Sequence, residues 1–93
     1  MKMLFRIIFL NENKETLEIY ASRVSNADVF GLVQAEDIVF MEASEVIITP
    51  EDDKVKKIFK NTIRTMIPLP SILRIDEITV NKNTPIIRLY KNE

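Results

Sequence analysis

The side chains that could do chemistry in this 93-residue sequence are carboxylates, arginines, lysines and two tyrosines, because it has neither histidine nor cysteine. Lack of cysteine excludes disulfides, thiolate metal sites and thiol nucleophiles. Lack of histidine removes the commonest general base and metal ligand. Asp76-Glu77 and Glu36-Asp37 are adjacent carboxylate pairs. Neighbours on a strand point to opposite faces, so neither pair makes a converging acid–base couple by itself. A cross-pairing of Asp37 with Asp76 would suit a divalent cation, but the expected reading is solvated acids at turns and strand ends. A single glycine rules out Gly-rich phosphate loops. Ser22, Ser25, Ser44 and Ser71 have no histidine to activate them, and no spacing marks a Ser–Lys pair.

The cations and Tyr20 are candidates for binding rather than catalysis. Arg74 stands two residues before Asp76, so on a strand the two share a face and can pair. That makes them either a recognition arginine with its carboxylate or a structural ion pair, and the structural pair is expected. Lys54, Lys56, Lys57 and Lys60, with Arg64 beyond, have the composition of a nucleic-acid patch. Asp52 and Asp53 precede Lys56 and Lys57 by four residues, the favoured order for helical ion pairs, which neutralises part of it. No aromatic alternates with these lysines on the polar face, so a solvated helix face is expected. Tyr20 falls on the outward side of its strand, a contact candidate if it is not simply packed across strands. The binding-surface candidates are therefore Tyr20, Lys56, Lys57, Lys60, Arg64, Arg74 and Asp76.

The elements that position these groups are short. Thr49-Pro50-Glu51-Asp52 has an N-cap hydroxyl followed by proline at the first helical position. Acids lead and lysines follow, as the helix dipole favours. Val55, Ile58, Phe59 and Thr62 repeat at helical spacing, so an amphipathic helix is expected over roughly 51 to 61. Met3 to Leu10 reads as a strand, with Met3, Phe5, Ile7 and Phe9 on one face and Leu4, Arg6, Ile8 and Leu10 on the other. The second face is too apolar for full exposure. Asn11 to Glu15 reads as a hairpin loop. In Thr16 to Val24, Leu17, Ile19 and Ala21 alternate with polar residues. Ser25 to Asp28 reads as a turn, and Val29 to Met41 as strand. There Gly31 marks a bulge or sharp bend, and Glu36-Asp37 a tight turn between two shorter strands. Further strands are expected at Glu45 to Thr49, Ile63 to Ile67, Ile72 to Val80 and Thr84 to Tyr90. Turns fall at Glu42 to Ser44 and Asn81 to Asn83, and Pro68-Leu69-Pro70-Ser71 breaks the ladder. Phe5, Phe9, Phe30, Phe40 and Phe59 are expected in the core.

Such a series of short strands with one helix defines a mainly β, α+β domain covering residues 1–93. An SH3-like or Sm-like barrel of about six strands is the first expectation, and an open bent antiparallel sheet with the helix across one face the second. Hydrophobic content of 46%, charged content of 29% and net charge of −1 are those of an ordinary soluble globule. No global field draws the chain to nucleic acid or an anionic membrane. No run approaches ~18 apolar residues, so no membrane-spanning helix is expected. Arg6 splits the apolar start and no small-residue cleavage site follows it, unlike a signal peptide.

Several segments together resemble one family. They are Ile19-Tyr20-Ala21, Phe30-Gly31-Leu32-Val33, Ile38-Val39-Phe40, Thr49-Pro50-Glu51-Asp52, Arg64-Thr65-Met66-Ile67-Pro68 and Ile72-Leu73-Arg74-Ile75-Asp76-Glu77. Their order is similar to that in a family of small bacterial proteins catalogued as domain of unknown function 1820, over about Phe5 to Ile78. The chain has Met41 where that pattern has glycine, and it ends at Glu93 where the pattern carries a polar extension. The resemblance implies a free-standing bacterial cytoplasmic protein and supplies no activity and no catalytic residues.

The expectation is a non-enzymatic protein-interaction module without cofactor or metal, binding another protein or itself. Leu4, Ile8 and Leu10, with Ile86, Ile87 and Leu89, are the expected self-association surface. The alternative is a nucleic-acid (RNA) binding barrel using Arg64, Arg74 and the lysines, and the last choice is a metal-dependent carboxylate enzyme. For the fold, Ile58→Ala and Phe59→Ala are both expected to destabilise strongly and Lys57→Ala to be nearly silent.

Overall fold

The computed structural model describes residues 2–41, 50–80 and 86–88. Its elements are β1 (Lys2–Leu10), β2 (Thr16–Asn26), β3 (Leu32–Met41), α1 (Pro50–Phe59), β4 (Arg64–Pro68), β5 (Ile72–Val80) and β6 (Ile86–Arg88), with a 3₁₀ turn at Leu69–Ser71. All strands pair antiparallel in the order β4-β3-β2-β1-β5, and β6 also pairs with β3. Among the described residues no pairing joins β4 to β5. The end strands β4 and β5 are nevertheless joined by only the three residues of the 3₁₀ turn, so the sheet must bend strongly to bring Pro68 near Ile72: a bent antiparallel sheet with one helix is what forms.

β1 is an interior strand, paired on both edges, as its apolar residues on both faces suit. It faces β2 from Phe5↔Ala21 to Leu10↔Thr16 and β5 from Lys2↔Val80 to Phe9↔Ile72. The hairpin between β1 and β2 closes at Asn11, whose Oδ1 accepts hydrogen bonds from the N–H groups of Asn13 and Glu15, both at 2.9 Å. This side chain mimics a backbone turn. The positive φ needed there falls on Lys14 (61°) rather than on an asparagine.

The β2–β3 connection corrects two expectations. β2 runs on to Asn26 and β3 starts at Leu32, so Gly31 lies in the turn at φ 87°, not inside a strand. An added Cβ there would meet nothing within 4 Å, so the demand on this residue is conformational. Its carbonyl accepts from the N–H of Leu69 at 2.8 Å, tying this turn to the 3₁₀ turn. Phe30 sits in this turn and is 102% exposed, not core.

Glu36-Asp37 does not end a strand. β3 runs through it, with Asp37 at φ 56°. Partner exchange happens at this point: β4 lies along Leu32 to Glu36, and β6 along Val39 to Met41. Ala21 and Ile38 face the main core, and Val24 and Ala35 do so again three residues away on each strand, which breaks the period-two alternation there.

α1 lies across one face of the sheet. Val55 and Phe59 pack with Ile7, Phe9, Leu17, Ile19, Ala21, Ala35, Ile38 and Ile67. The Phe59 ring meets Phe9 edge-on at 6.4 Å. Ile58, expected in this core, is 45% exposed, because the buried stripe is narrower than the four-residue pattern suggests. On the opposite face Leu4, Val39 and Val80 form a second buried cluster with Tyr20 and Ile78 against it. Leu4 has no exposure left, so it is unavailable as the self-association surface expected of it. The expected N-cap at Thr49, the turns at 42–44 and 81–83, the strand at 45–49, and the side chains of Asp52, Asp53, Ile86, Ile87, Leu89 and Tyr90 lie outside the described residues. Of the strand expected at 84–90, Ile86–Arg88 is β6.

Candidate functional site

The sheet brings two carboxylates into similar surroundings. Arg6 on β1 faces Asp76 on β5. Arg6 Nη2 donates to Asp76 Oδ2 at 2.7 Å, and Arg74 Nε lies 3.0 Å from Oδ1. The expected Arg74–Asp76 pair is thus formed, with Arg6 as a third member. Asp76 is well covered while Arg74 is two-thirds exposed. The two arginines hold the Asp76 carboxyl below the usual value, the hydrogen bond from Arg6 being the largest cause. The same contact raises Arg6. Glu36 lies between Arg23 on β2 and Arg64 on β4, at 3.5 and 3.8 Å, and accepts from Gln34 at 2.9 Å. That hydrogen bond leads in lowering its carboxyl.

A carboxylate held this way is ionised and committed to its partners. General-acid catalysis needs the opposite shift. The imagined Asp37–Asp76 cation site does not assemble, because β2 and β1 stand between their strands, a gap of about 14 Å at ordinary strand spacing. Among the described residues there is no group of three or more potential acidic metal ligands.

The other candidates separate. Tyr20 is half-buried between Arg6 and Val39 and donates to Glu18 Oε2 at 3.1 Å. Burial, with Glu18 beside it, pushes its phenol up. This is cross-strand packing rather than an open contact surface. Lys54 pairs with Glu15, joining the helix to the β1–β2 loop, and lowers the Glu15 carboxyl. Lys56 lies over the Phe40 ring at 4.2 Å, a cation–π contact. Lys57 and Lys60 are exposed. The lysines belong to the helix, Arg64 to β4 and Arg74 to β5, and Arg64 and Arg74 face Glu36 and Asp76.

The feature that sequence reading missed is a cleft of about 420 Å³ between α1, β4 and the end of the β1–β2 hairpin. Phe9, Leu17, Phe59 and Ile67 form its buried floor, and Leu10, Ile58 and Met66 its exposed apolar walls. Asn11, Glu12, Thr62, Thr65 and Ser71 supply polar atoms around it. Its size and mixed lining are those of an ordinary binding pocket. The available signal was the apolar residue at 58, which the helix pattern placed with the core.

These features define a bent antiparallel sheet with one helix and a cleft at the helix end. The chain belongs to the family described as Domain of unknown function (DUF1820), whose sequence profile matches residues 3–93. No curated protein and no solved structure matches it. Among the described residues no helix is long and apolar enough to cross a membrane.

Proposed function

We propose that this protein is a non-enzymatic, cytoplasmic protein-interaction module whose cleft receives apolar side chains of a partner protein. The supporting observation is that Leu10, Ile58 and Met66 stay 37 to 45% exposed around a cleft that the described residues leave unfilled. A partner's side chain there would extend the main core outward. Protein is favoured over nucleic acid because Lys54 and Lys56 are already engaged, Lys54 with Glu15 and Lys56 with the Phe40 ring. No membrane or cofactor role is proposed.

The test is affinity purification of the tagged protein from its host, with and without nuclease, beside Ile58→Asp and Met66→Asp. Partners that survive nuclease and disappear with both variants support the reading. Partners lost on nuclease treatment, with affinity falling steeply as salt rises, would shift it to nucleic acid.

A further inference from the structure

The sheet has two dissimilar margins. β4 has five residues and ends in Pro68, which suits a protected edge. β5 has nine residues and no proline, and among the described residues it pairs with β1 alone. Leu73 and Ile75 are 56% and 38% exposed along it. A long strand in this position offers a row of backbone donors and acceptors to an added strand.

We propose that β5 pairs antiparallel with β5 of a second copy of this chain, about a two-fold axis at Ile75, to form one continuous sheet. This goes beyond the cleft reading and uses different atoms. Charge selects both the occupant and the register. When two copies pair in the plane of one sheet, facing residues must lie on the same face. Centring on Ile75 places Arg74 opposite Asp76 of the second copy, and the reverse by symmetry. Centring on Arg74, Asp76 or Glu77 instead places like charges against each other on the axis, which is unfavourable. The chosen register extends the charged row Arg6–Asp76 to Arg74 of the second copy. On the other face it extends the row Ile7–Ile75 across the axis, covering the exposed Ile75. The shift in β1–β5 register at Ile8/Phe9 leaves Leu73 without a partner on β1, so firm pairing is centred on Arg74 to Asp76.

Sedimentation of the whole chain should show a concentration-dependent dimer, and a monomer throughout the micromolar to millimolar range overturns the proposal. The absence of cysteine lets single cysteines read the register. Ile75→Cys should cross-link to itself on mild oxidation, while Leu73→Cys and Glu77→Cys should not. Preferred linkage at Glu77→Cys, or equal linkage at all three, overturns the register. Arg74→Asp and Asp76→Lys should each weaken self-association by roughly tenfold or more. Mixed together they should recover a dimer, since each carries the charge the other lacks, and a mixture that stays monomeric overturns the charge argument. Should Asp76→Lys unfold through loss of its Arg6 contact, the Ile75→Cys linkage decides. Ile58→Asp and Met66→Asp should leave the dimer intact, so failure here and failure of the cleft reading are distinct.

Discussion

The two faces of this sheet are closed to water by different means. On the helix side, α1 presses Val55 and Phe59 onto aliphatic residues from four strands. On the other side, Leu4, Val39 and Val80 form a small apolar island, and Arg6–Asp76–Arg74 stands beside it. The first face draws its stability from area and shape. The second gives up apolar area for charged rows whose pairing depends on pH and fixes which residues stand opposite each other.

The comparison breaks most visibly at Phe59. Phe59→Ala should lower unfolding free energy by about 3–5 kcal/mol, read by urea denaturation, because it removes a buried ring that also meets Phe9. Leu4→Ala should cost about 2–5 kcal/mol. A value under about 1 kcal/mol would mean that the second face has no real core. Ile58→Ala should cost under about 1 kcal/mol, since this residue walls the cleft and is nearly half exposed. A loss equal to that of Phe59→Ala would return Ile58 to the core.

Acid sharpens the contrast. Asp76, Glu36 and Glu15 have folded pKa values below their ordinary ones of 3.8, 4.5 and 4.5. Their stabilisation is present above those ordinary values and is lost as pH falls through the lower folded ones. Denaturation midpoints should therefore drop below about pH 4.5, and Arg6→Met should flatten the part due to Asp76. An unchanged slope in that variant would show that Arg6 does not hold the carboxylate. Smallest of all, Lys60→Ala should fall within about 0.5 kcal/mol of wild type.

What could be read in advance follows the range of the interaction. The helix at 50–59, the Pro68–Ser71 break, the β1–β2 hairpin and the Arg74–Asp76 pair all depend on residues a few positions apart, and all were legible. Arg6 was visible only as an interruption of an apolar strand. Its partner is 70 residues away, and nothing local fixes that β1 lies beside β5. The cleft was hidden for the same reason, because its walls come from three separate segments. Glu36-Asp37 misled in the opposite sense. Its polarity looks like a turn, but β2 pairs with β3 on both sides of it, at Glu36 and at Ile38, so the strand continues and the break is confined to the positive φ of Asp37. Phe30 shows that an aromatic beside a strand need not enter the core.

The place of β1 between β2 and β5 has a consequence during synthesis. β1 is made before either of its neighbours: β2 follows it closely, but β5 comes only after β3, α1 and β4. Until β5 emerges, the nascent chain carries Leu4 and Ile7 on a strand with one open side, next to the surface that will close the molecule. Polypeptides halted before Ile72 therefore keep one side of β1 unpaired, and emergence of β5 is the step that covers it.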